Sequence, residues 1–144
     1  ITIAAVDSAE GAEPIVARDP GIVHGLRNLI QNAVDFAQDR VTVVAFWDAE
    51  IISVTICDDG PGYPPNLLGR IGEPFLSTRS EDGRGHYEGM GLGLFIAKTL
   101  LERTGARLSF QNISPGAKVV IRWPRKLFER HEYGGLGPNP AITG

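Results

Sequence analysis

Apolar residues recur every three or four positions in two segments of the chain, and this spacing predicts two helices. The first helix is predicted over residues 20–38, with Asp19 as its N-cap and Pro20 as its first residue. The second is predicted over residues 91–104, with Gly105 as its stop signal. The positions at helical spacing are Ile22, Val23, Leu26, Leu29, Ile30, Ala33, Val34 and Ala37 in the first helix, and Leu92, Phe95, Ile96, Thr99 and Leu100 in the second.

Short runs rich in β-branched and aromatic residues predict the strands of a sheet. The predicted strands are residues 1–6, 14–17, 41–47, 51–57, 106–112 and 117–123. The last two flank Ser114-Pro115-Gly116 and form a predicted hairpin. Helices and strands together predict a two-layer α/β sandwich, in which a mixed sheet of about five strands is backed by helices on one face.

A long segment rich in Gly, Pro and charged residues precedes the second helix. It runs from Asp58 to Gly89, and only a short apolar patch around Leu67 predicts a helical turn within it. A connection of this length inside a compact domain is usually functional. We predict one domain over residues 1–124, followed by a flexible tail over residues 125–144, which has few apolar side chains.

The composition narrows the range of functions. The 144 residues carry 17 acidic and 14 basic side chains, and they show no basic stripe of the kind that binds nucleic acid. Cys57 is the only cysteine, which excludes an internal disulfide framework and a zinc site of the usual thiolate kind. The sequence has no membrane-spanning apolar run and no signal peptide, so we expect a cytoplasmic domain.

Two asparagines on the first predicted helix form the first candidate cluster. Asn28 and Asn32 are four residues apart, so their carboxamides lie on one face and can reach one ligand. An amide oxygen is a suitable hard ligand for Mg²⁺, which completes its shell with water and phosphate oxygens. The pair is equally compatible with two solvated amides on a surface helix.

An aspartate directly after the strand at residues 51–57 forms the second cluster. If Ile56 faces the core, strand alternation places Asp58 on the same face, at the end of the strand. A carboxylate there needs a partner, and the amino group of an adenine base would provide one. Gly60 and Gly62 would let the backbone pass close to that base, although a plain Asp-Gly and Pro-Gly turn explains the same residues.

The third cluster is Gly89-Met90-Gly91-Leu92-Gly93-Leu94, a glycine-rich turn predicted to run straight into the second helix. Backbone amides at a helix N-terminus attract anions, and the helix dipole favours phosphate groups there. A glycine triplet alone is not specific. The order of the three clusters is more specific, because an amide pair, a carboxylate at a strand end, a long loop and a glycine turn each suit one part of a magnesium nucleotide.

This combination resembles the histidine kinases of the gyrase, Hsp90, histidine kinase and MutL ATPase group. Residues 28–33 resemble the N box of that family and residues 58–62 its first glycine box. Glu73-Pro74-Phe75 resembles its F box, and residues 89–94 resemble its second glycine box. The resemblance covers residues 1–124 and implies a Bergerat-type fold that binds ATP and Mg²⁺.

The resemblance also implies a role for each matching residue. Asn32 would be the main magnesium ligand, helped by Asn28, and Asp58 would bind the adenine amino group. Residues 71–90 would form a flexible lid over the phosphates. The remaining nucleotide-binding positions would be Gly60, Gly62, Phe75, Gly89, Gly91, Leu92 and Gly93.

Two positions distinguish this chain from its wider family. Relatives that hydrolyse ATP place a glutamate base one helical turn before the magnesium asparagine, where this chain has Asn28. Because an amide cannot accept a proton from water, the site suits transfer of the γ-phosphate rather than hydrolysis. Many histidine kinases carry a lysine where this chain has Asp35, so Arg79 and Arg84 of the lid are the candidates for the missing positive charge.

None of the three histidines fits the residue that these kinases phosphorylate, which lies on a separate helical hairpin. His24 lies on the first predicted helix and is interpreted as a structural or surface residue. His86 and His131 are interpreted as solvated side chains. Since the sequence begins at Ile1 rather than at Met, we expect an excised fragment. The resemblance implies that this fragment phosphorylates the dimerisation domain of its own parent chain.

Residues 32–37, 71–75 and 95–106 resemble the RegB/PrrB group of redox-responsive sensor kinases more closely. That resemblance implies a dimeric parent in the inner membrane, a two-component pathway with a RegA-like response regulator, and redox input sensed elsewhere in the parent. Cys57 is interpreted as a small apolar filler, because strand alternation points it away from the face of Asp58.

Two other functions stay open at this point. A non-kinase switch of the same superfamily would use nucleotide binding to control a partner protein, although the missing glutamate base opposes its ATP-hydrolysing version. A protein-interaction domain with a degenerate site is opposed by the presence of Asn32, Asp58 and the glycines of both boxes.

Overall fold

The computed structural model describes residues 2–7, 18–68 and 85–127, and these residues form one sheet with three helices. The strands are β1 (Thr2–Asp7), β2 (Val41–Trp47), β3 (Ile51–Asp58), β4 (Arg107–Asn112) and β5 (Ala117–Pro124). The helices are α1 (Pro20–Phe36), α2 (Pro65–Leu68) and α3 (Gly85–Glu102). The strand predicted at residues 14–17 lies outside the described residues.

The five strands form a mixed sheet in the order β1-β2-β3-β5-β4. β1 pairs with β2 in parallel, and the other three pairings are antiparallel. The two predicted hairpins, β2–β3 and β4–β5, are both present, and they meet along the β3–β5 pairing. The predicted mixed sheet of about five strands is confirmed.

Both long helices cover the same face of this sheet. Alternate residues of β2, β3 and β5 are buried in one cluster with residues of α1 and α3, as strand alternation requires. The buried members of this core are Leu29, Ala33, Val41, Val43, Trp47, Ile52, Ile56, Tyr63, Leu94, Ala97, Leu101, Ala106, Ala117, Val119, Ile121 and Trp123. Each large apolar side chain among them contributes about 1.5–3 kcal/mol by burial. The predicted two-layer α/β sandwich is confirmed.

A glycine in α1 lets the two long helices approach closely. A Cβ atom built on Gly25 would lie 2.5 Å from Cγ of Leu101, which is closer than real side chains pack. One turn earlier, a Cβ on Gly21 would lie 3.5 Å from the Leu100 carbonyl and 3.8 Å from Cγ2 of Thr104. The start of α1 therefore lies against the end of α3, so the two helices run in opposite directions.

The core-facing side of α3 differs from the prediction. Leu94, Ala97 and Leu101 are buried, whereas Leu92 and Ile96, predicted as apolar-face positions, are 44% and 39% exposed. Apolar side chains surround this segment on nearly every side, so their spacing fits more than one face. The small Ala97, which is fully buried, lies on the face that packs closest to the rest of the core.

Both ends of α1 have clear physical causes. Asp19 is the N-cap, as predicted, and its carboxylate accepts hydrogen bonds from the N–H groups of Gly21 and Ile22. The helix ends at Phe36, two residues before the predicted end. The N–H of Gln38 donates to the carboxylate of Asp59 instead of continuing the helical hydrogen bonds.

Residues 125–127 form a helical turn beside the β2–β3 hairpin. The Arg125 N–H donates to the Glu50 carbonyl at 2.8 Å, and its Nη1 donates to the Asp48 carbonyl at 2.9 Å. The predicted tail therefore begins with residues that contact the sheet, and its remainder lies outside the described residues. No helix in the described part of the chain is long and apolar enough to cross a bilayer.

Candidate functional site

Asp58 lies at the end of β3 on the face that the helices cover. In the strand register Val41 stands opposite Asp58, and Asp58 stands opposite Ala117. Both neighbours are buried core residues, and Asp58 itself is only 9% exposed. The predicted orientation of Asp58 is confirmed, because opposed residues of neighbouring strands point to the same face of a sheet.

The Asp58 carboxylate is only partly satisfied by the protein. Its Oδ1 accepts a hydrogen bond from the Gly60 N–H at 2.9 Å. Burial raises the pKa of the carboxyl, while hydrogen bonds from the N–H groups of Gly60 and Ala117 oppose that shift. An ionised carboxylate has about four acceptor positions, so this group can accept a further hydrogen bond from a ligand.

The next residue, Asp59, has a structural role that no local pattern in the sequence predicts. Its carboxylate accepts hydrogen bonds from three successive backbone N–H groups, those of Gln38, Asp39 and Arg40, at 2.9–3.0 Å. The N–H groups of Arg40 and Asp39 contribute most to holding the pKa of Asp59 below its usual range. Residues 59–62, which follow β3, form a glycine-rich loop. Asp59 thus joins the start of this loop to the connection between α1 and β2.

The two glycines of this loop are required by contacts within the protein. A Cβ on Gly60 would lie 2.0 Å from the carbonyl oxygen of Phe36. Gly62 has a φ of +83°, and a Cβ there would lie 2.8 Å from Oδ1 of Asn112. Both glycines therefore have a packing cause within the protein, and the prediction that they also make room for the base stays a prediction.

A third glycine, on the β4–β5 hairpin, touches the backbone of Asp58 itself. Gly116 has a φ of +106°, and a Cβ there would lie 1.7 Å from the Asp58 carbonyl oxygen. The sequence identified Gly116 only as a turn residue. Its contact shows that the hairpin and the end of β3 are packed as closely as two backbones allow.

The two candidate magnesium ligands lie one and two turns before this loop. Asn32 is four residues before Phe36, whose carbonyl contacts Gly60, so Asn32 lies about 6 Å along the helix from that contact. Asn28 is one further turn away on the same side of α1. Both are half-buried, and neither side chain donates or accepts a hydrogen bond with another described residue. Two uncommitted amides therefore lie on one side of α1, and Asn32 is one turn from the end of the helix that contacts Gly60.

The glycine triplet lies inside α3 rather than in a turn before it. α3 begins at Gly85, six residues before the predicted start, so Gly89, Gly91 and Gly93 are all helical. No proline or N-cap residue starts the helix at Gly91, and an interior glycine costs only about 1 kcal/mol. The predicted turn with free N-terminal amides is therefore wrong for this structure, and residues 85–90 of the predicted lid are helical.

Gly93 is the described glycine of this triplet, and its surroundings are open. Apart from its two chain neighbours and the nearby backbone of α3, no atom of the described residues lies within 4 Å of a Cβ built on Gly93, in contrast with Gly25, Gly60 and Gly116. Because α1 and α3 run in opposite directions from the Gly25–Leu101 contact, Gly93 lies level with the end of α1 that carries Asn32. Packing within the described residues gives no reason for a glycine here.

Several predicted site residues fall outside the described structure. Phe75, Arg79 and Arg84 lie outside the described residues, and for Gly89 and Gly91 only the helical backbone is described. Asp35, at the position of the family lysine, is exposed and accepts a hydrogen bond from Gln31 at 2.9 Å.

Two residues considered for special roles have ordinary surroundings. His24 is exposed on α1, in agreement with its interpretation as a surface residue. Cys57 stands opposite Thr42 and Lys118 on the face away from Asp58, and burial raises the pKa of its thiol. No group of three His, Cys, Asp or Glu residues among the described side chains could hold a metal ion.

Comparison with known proteins identifies the group to which this arrangement is related. Residues 17–127 match the model of the family described as histidine kinase-, DNA gyrase B- and HSP90-like ATPase. The chain is 51% identical over 146 aligned residues to the sensor histidine kinase RegB of Cereibacter sphaeroides, which covers 90% of the chain and 32% of that kinase. It is 39% identical to sporulation kinase A of Bacillus subtilis, over 69% of the chain and 16% of that protein. The predicted resemblance to the RegB group is confirmed.

Two solved structures with a similar fold come from histidine kinases. The catalytic domain of histidine kinase ThkA matches with a TM-score of 0.65 at 23% identity, over 86% of the chain and 80% of that domain. Full-length ShkA in complex with AMPPNP matches with a TM-score of 0.59 at 27% identity, over 85% of the chain and 25% of that protein. The chain thus spans about a third or less of the curated relatives named above.

Proposed function

Because this chain belongs to the family of histidine kinase-, DNA gyrase B- and HSP90-like ATPases, we propose that it binds Mg-ATP and donates the γ-phosphate to a histidine on a separate domain. It is a catalytic ATPase domain of the histidine kinase type, and its relative RegB is a sensor histidine kinase. The proposed acceptor is the dimerisation domain of its own parent chain.

The observation that carries this proposal is the buried carboxylate of Asp58 at the end of β3. It is 9% exposed and retains acceptor positions that the protein does not use. Such a group is costly to bury without a further partner. The exocyclic amino group of adenine is a donor of the required kind, so Asp58 is proposed to select the base.

Magnesium is proposed to bind at the amides of α1. Asn32, with Asn28 one turn away, presents an uncommitted amide oxygen, which fits a cation that takes few protein ligands and several phosphate oxygens. When bound, the ion neutralises charge that develops on the phosphates. Asn32 would orient it relative to the base held by Asp58.

The phosphates are proposed to lie over the glycine-rich half of α3. The open space at Gly93 supports this placement, because a ligand can approach the backbone where no side chain stands. Phe75, Arg79 and Arg84 are proposed to complete the nucleotide site, and the two arginines would supply the positive charge that Asp35 does not.

Transfer is favoured over hydrolysis by the chemistry of α1. Asn28 stands where a general base would activate water, and its amide has no basic lone pair at neutral pH. The bound nucleotide would therefore persist until an acceptor nitrogen is placed in line with the γ-phosphate.

The identity with RegB supports a finer proposal about partners. We propose that the parent is a membrane-bound homodimer of a two-component system, with this domain on the cytoplasmic side. The phosphorylated histidine would then pass its phosphate to a RegA-like response regulator, under redox control exerted elsewhere in the parent.

A transfer assay with radiolabelled ATP tests the proposed reaction. The chain, the histidine hairpin of its parent, and their mixture are each incubated with Mg²⁺ and labelled ATP. Acid-labile label is expected on the hairpin in the mixture alone, and its rate should rise with hairpin concentration because the acceptor is not tethered. Acid-labile label on the chain alone, removed by His24→Ala, would overturn the proposal.

A further inference from the structure

One side chain of the edge strand β4 holds the segment that follows the glycine-rich loop. Oδ1 of Asn112 accepts a hydrogen bond from the Tyr63 N–H at 2.7 Å, and its Nδ2 donates to the Tyr63 carbonyl at 2.9 Å. This pair of bonds reproduces the double hydrogen bond between directly opposed residues of an antiparallel sheet. The Asn112 amide therefore serves Tyr63 as a strand partner would.

The held segment is well packed below this contact. Tyr63 is 5% exposed, and its ring meets that of Phe110 edge-on, with centroids 6.0 Å apart. Asn112 itself is exposed at the sheet edge, where an asparagine usually tolerates substitution. Its two bonds to Tyr63 give it a specific task instead.

The strand register connects Asn112 to the candidate adenine-binding residue. Asn112 stands opposite Ala117, and Ala117 stands opposite Asp58, so the three residues form one row across β4, β5 and β3. Neighbouring strands are about 4.8 Å apart, which places Asn112 roughly 10 Å from Asp58. Asn112 can therefore influence Asp58 through the intervening backbone without touching a bound base.

Close backbone contacts fill the space between the two residues. A Cβ on Gly62 would lie 2.8 Å from Oδ1 of Asn112 and 3.0 Å from the Gly116 carbonyl. A Cβ on Gly116 would lie 1.7 Å from the Asp58 carbonyl oxygen. Neither glycine leaves room for a side chain, so the backbones of the loop, the β4–β5 hairpin and the end of β3 lie close together.

The same loop orients the Asp58 carboxylate. Gly60 donates its N–H to Oδ1 of Asp58 at 2.9 Å, and Gly60 is three residues before Tyr63. Release of Tyr63 would free the far end of this short loop. The Gly60 N–H would then no longer hold Oδ1, and the remaining acceptor positions of the carboxylate would lose their fixed direction.

We propose that Asn112 is a positioning residue for nucleotide selectivity, which fixes residues 60–63 and through them the direction in which Asp58 presents its carboxylate. This inference rests on the proposed function, in which Asp58 binds the adenine amino group. Guanine carries an oxygen where adenine carries that amino group, so a fixed carboxylate favours ATP over GTP. Loss of Asn112 should weaken this preference.

The experiment measures Kd for non-hydrolysable analogues of ATP and GTP, with Mg²⁺, on the full chain and its variants. Asn112→Ala should raise the Kd for the ATP analogue about tenfold, which is the effect of losing one well-placed hydrogen bond to a charged group. The Kd for the GTP analogue should stay nearly unchanged. Gln111→Ala is the control, because Gln111 is the exposed neighbour on the other face of β4. It should bind both nucleotides as the wild-type chain does.

A second variant protects the test against loss of folding. Asn112→Asp keeps an acceptor for the Tyr63 N–H but cannot donate to the Tyr63 carbonyl, and it should also reduce the ratio of GTP to ATP dissociation constants. Affinities are compared only for variants that show a cooperative thermal unfolding transition and are therefore folded. Equal weakening of both nucleotides, or an unchanged ratio in a folded variant, would overturn the inference by showing a purely structural role.

The two proposals fail in different ways. If Asp58→Asn leaves ATP affinity unchanged, the proposed role of Asp58 fails. If Asp58→Asn loses the ATP preference while folded Asn112 variants keep it, the role of Asp58 stands and only the positioning by Asn112 is wrong.

Discussion

Asp59 and Arg40 are joined by reciprocal hydrogen bonds: the Asp59 carboxylate accepts from the Arg40 N–H at 3.0 Å, and the Asp59 N–H donates to the Arg40 carbonyl at 3.3 Å. This contact fixes the first residue after β3 to the last residue before β2. Asp58, one residue earlier, faces the core and the candidate nucleotide site. Two adjacent aspartates thus separate the structural task of Asp59 from the binding task proposed for Asp58.

The folded-state pKa of Asp59 is lowered and that of Asp58 is raised, so the two carboxylates predict opposite effects of pH on the stability of the fold. The folded-state pKa of Asp59 is lowered, so its contribution is present above the usual aspartate pKa and is lost as pH falls through the folded value. Asp59→Asn should therefore lower the Tm at pH 7 and lower it much less in acid. Thermal unfolding of both proteins across this range checks the prediction.

Asp39→Asn is the matched control for charge at the same loop. Asp39 is exposed, and its side chain donates or accepts no hydrogen bond with another described residue. Its Tm difference from the wild-type chain should be small at every pH. A loss as large as that of Asp59→Asn would mean that net charge, rather than the three backbone hydrogen bonds, is responsible.

Two glycines on the facing helices predict opposite responses to alanine. Gly25→Ala should destabilise the fold by about 1–3 kcal/mol, because the new methyl group would overlap Leu101.

Gly93→Ala should stabilise α3 by about 1 kcal/mol, because the position is open. It should also weaken ATP binding, because the phosphates are proposed to lie there. Urea unfolding and calorimetry distinguish these effects. Unweakened ATP binding in Gly93→Ala would remove Gly93 from the phosphate site.

Local periodicity predicted the parts of this fold that depend on neighbours in sequence. The two-residue period of β3 placed Asp58 on the core face, and the Asp19-Pro20 signal placed the start of α1. The apolar spacing of α3 failed to select its buried face, because Leu92 and Leu94 satisfy different faces equally well. Periodicity is decisive only where polar residues mark the opposite side.

The contacts that build the site could not be predicted in this way. Asp59 meets residues about 20 positions away, and Asn112 meets Tyr63 across 49 positions. Neither has a local pattern that marks its partner. The glycines of the loop were identified from their motif, but their packing cause appeared only when Phe36 and Asn112 were brought beside them.

Asn32→Ala should remove the magnesium-dependent part of ATP binding and abolish phosphate transfer. The lost oxygen is proposed to orient the metal, whereas Asp58 would still hold the base. Stability should change by less than about 0.5 kcal/mol, because the half-buried side chain makes no hydrogen bond with the described residues. Calorimetry with Mg²⁺ and with EDTA checks both parts.

Gln31→Ala is the control for this change on α1. Gln31 is exposed beside Asn32, and among the described residues its side chain donates a hydrogen bond only to Asp35. It should keep the magnesium dependence of the wild-type chain. If Asn32→Ala keeps it too, the assignment of Asn32 as a magnesium ligand is wrong.

Nucleotide binding at Asp58 is tested most directly by the affinity of Asp58→Asn for a non-hydrolysable ATP analogue, measured by calorimetry beside its thermal unfolding. The substitution replaces an acceptor with an amide, so ATP should bind about 10–100-fold more weakly. The folded-state pKa of Asp58 is raised, so its ionised form costs stability near neutral pH, and Tm should stay equal or rise. An unchanged ATP affinity in this folded variant would contradict the proposed binding of adenine by Asp58, because Asp58 would then be only a turn residue.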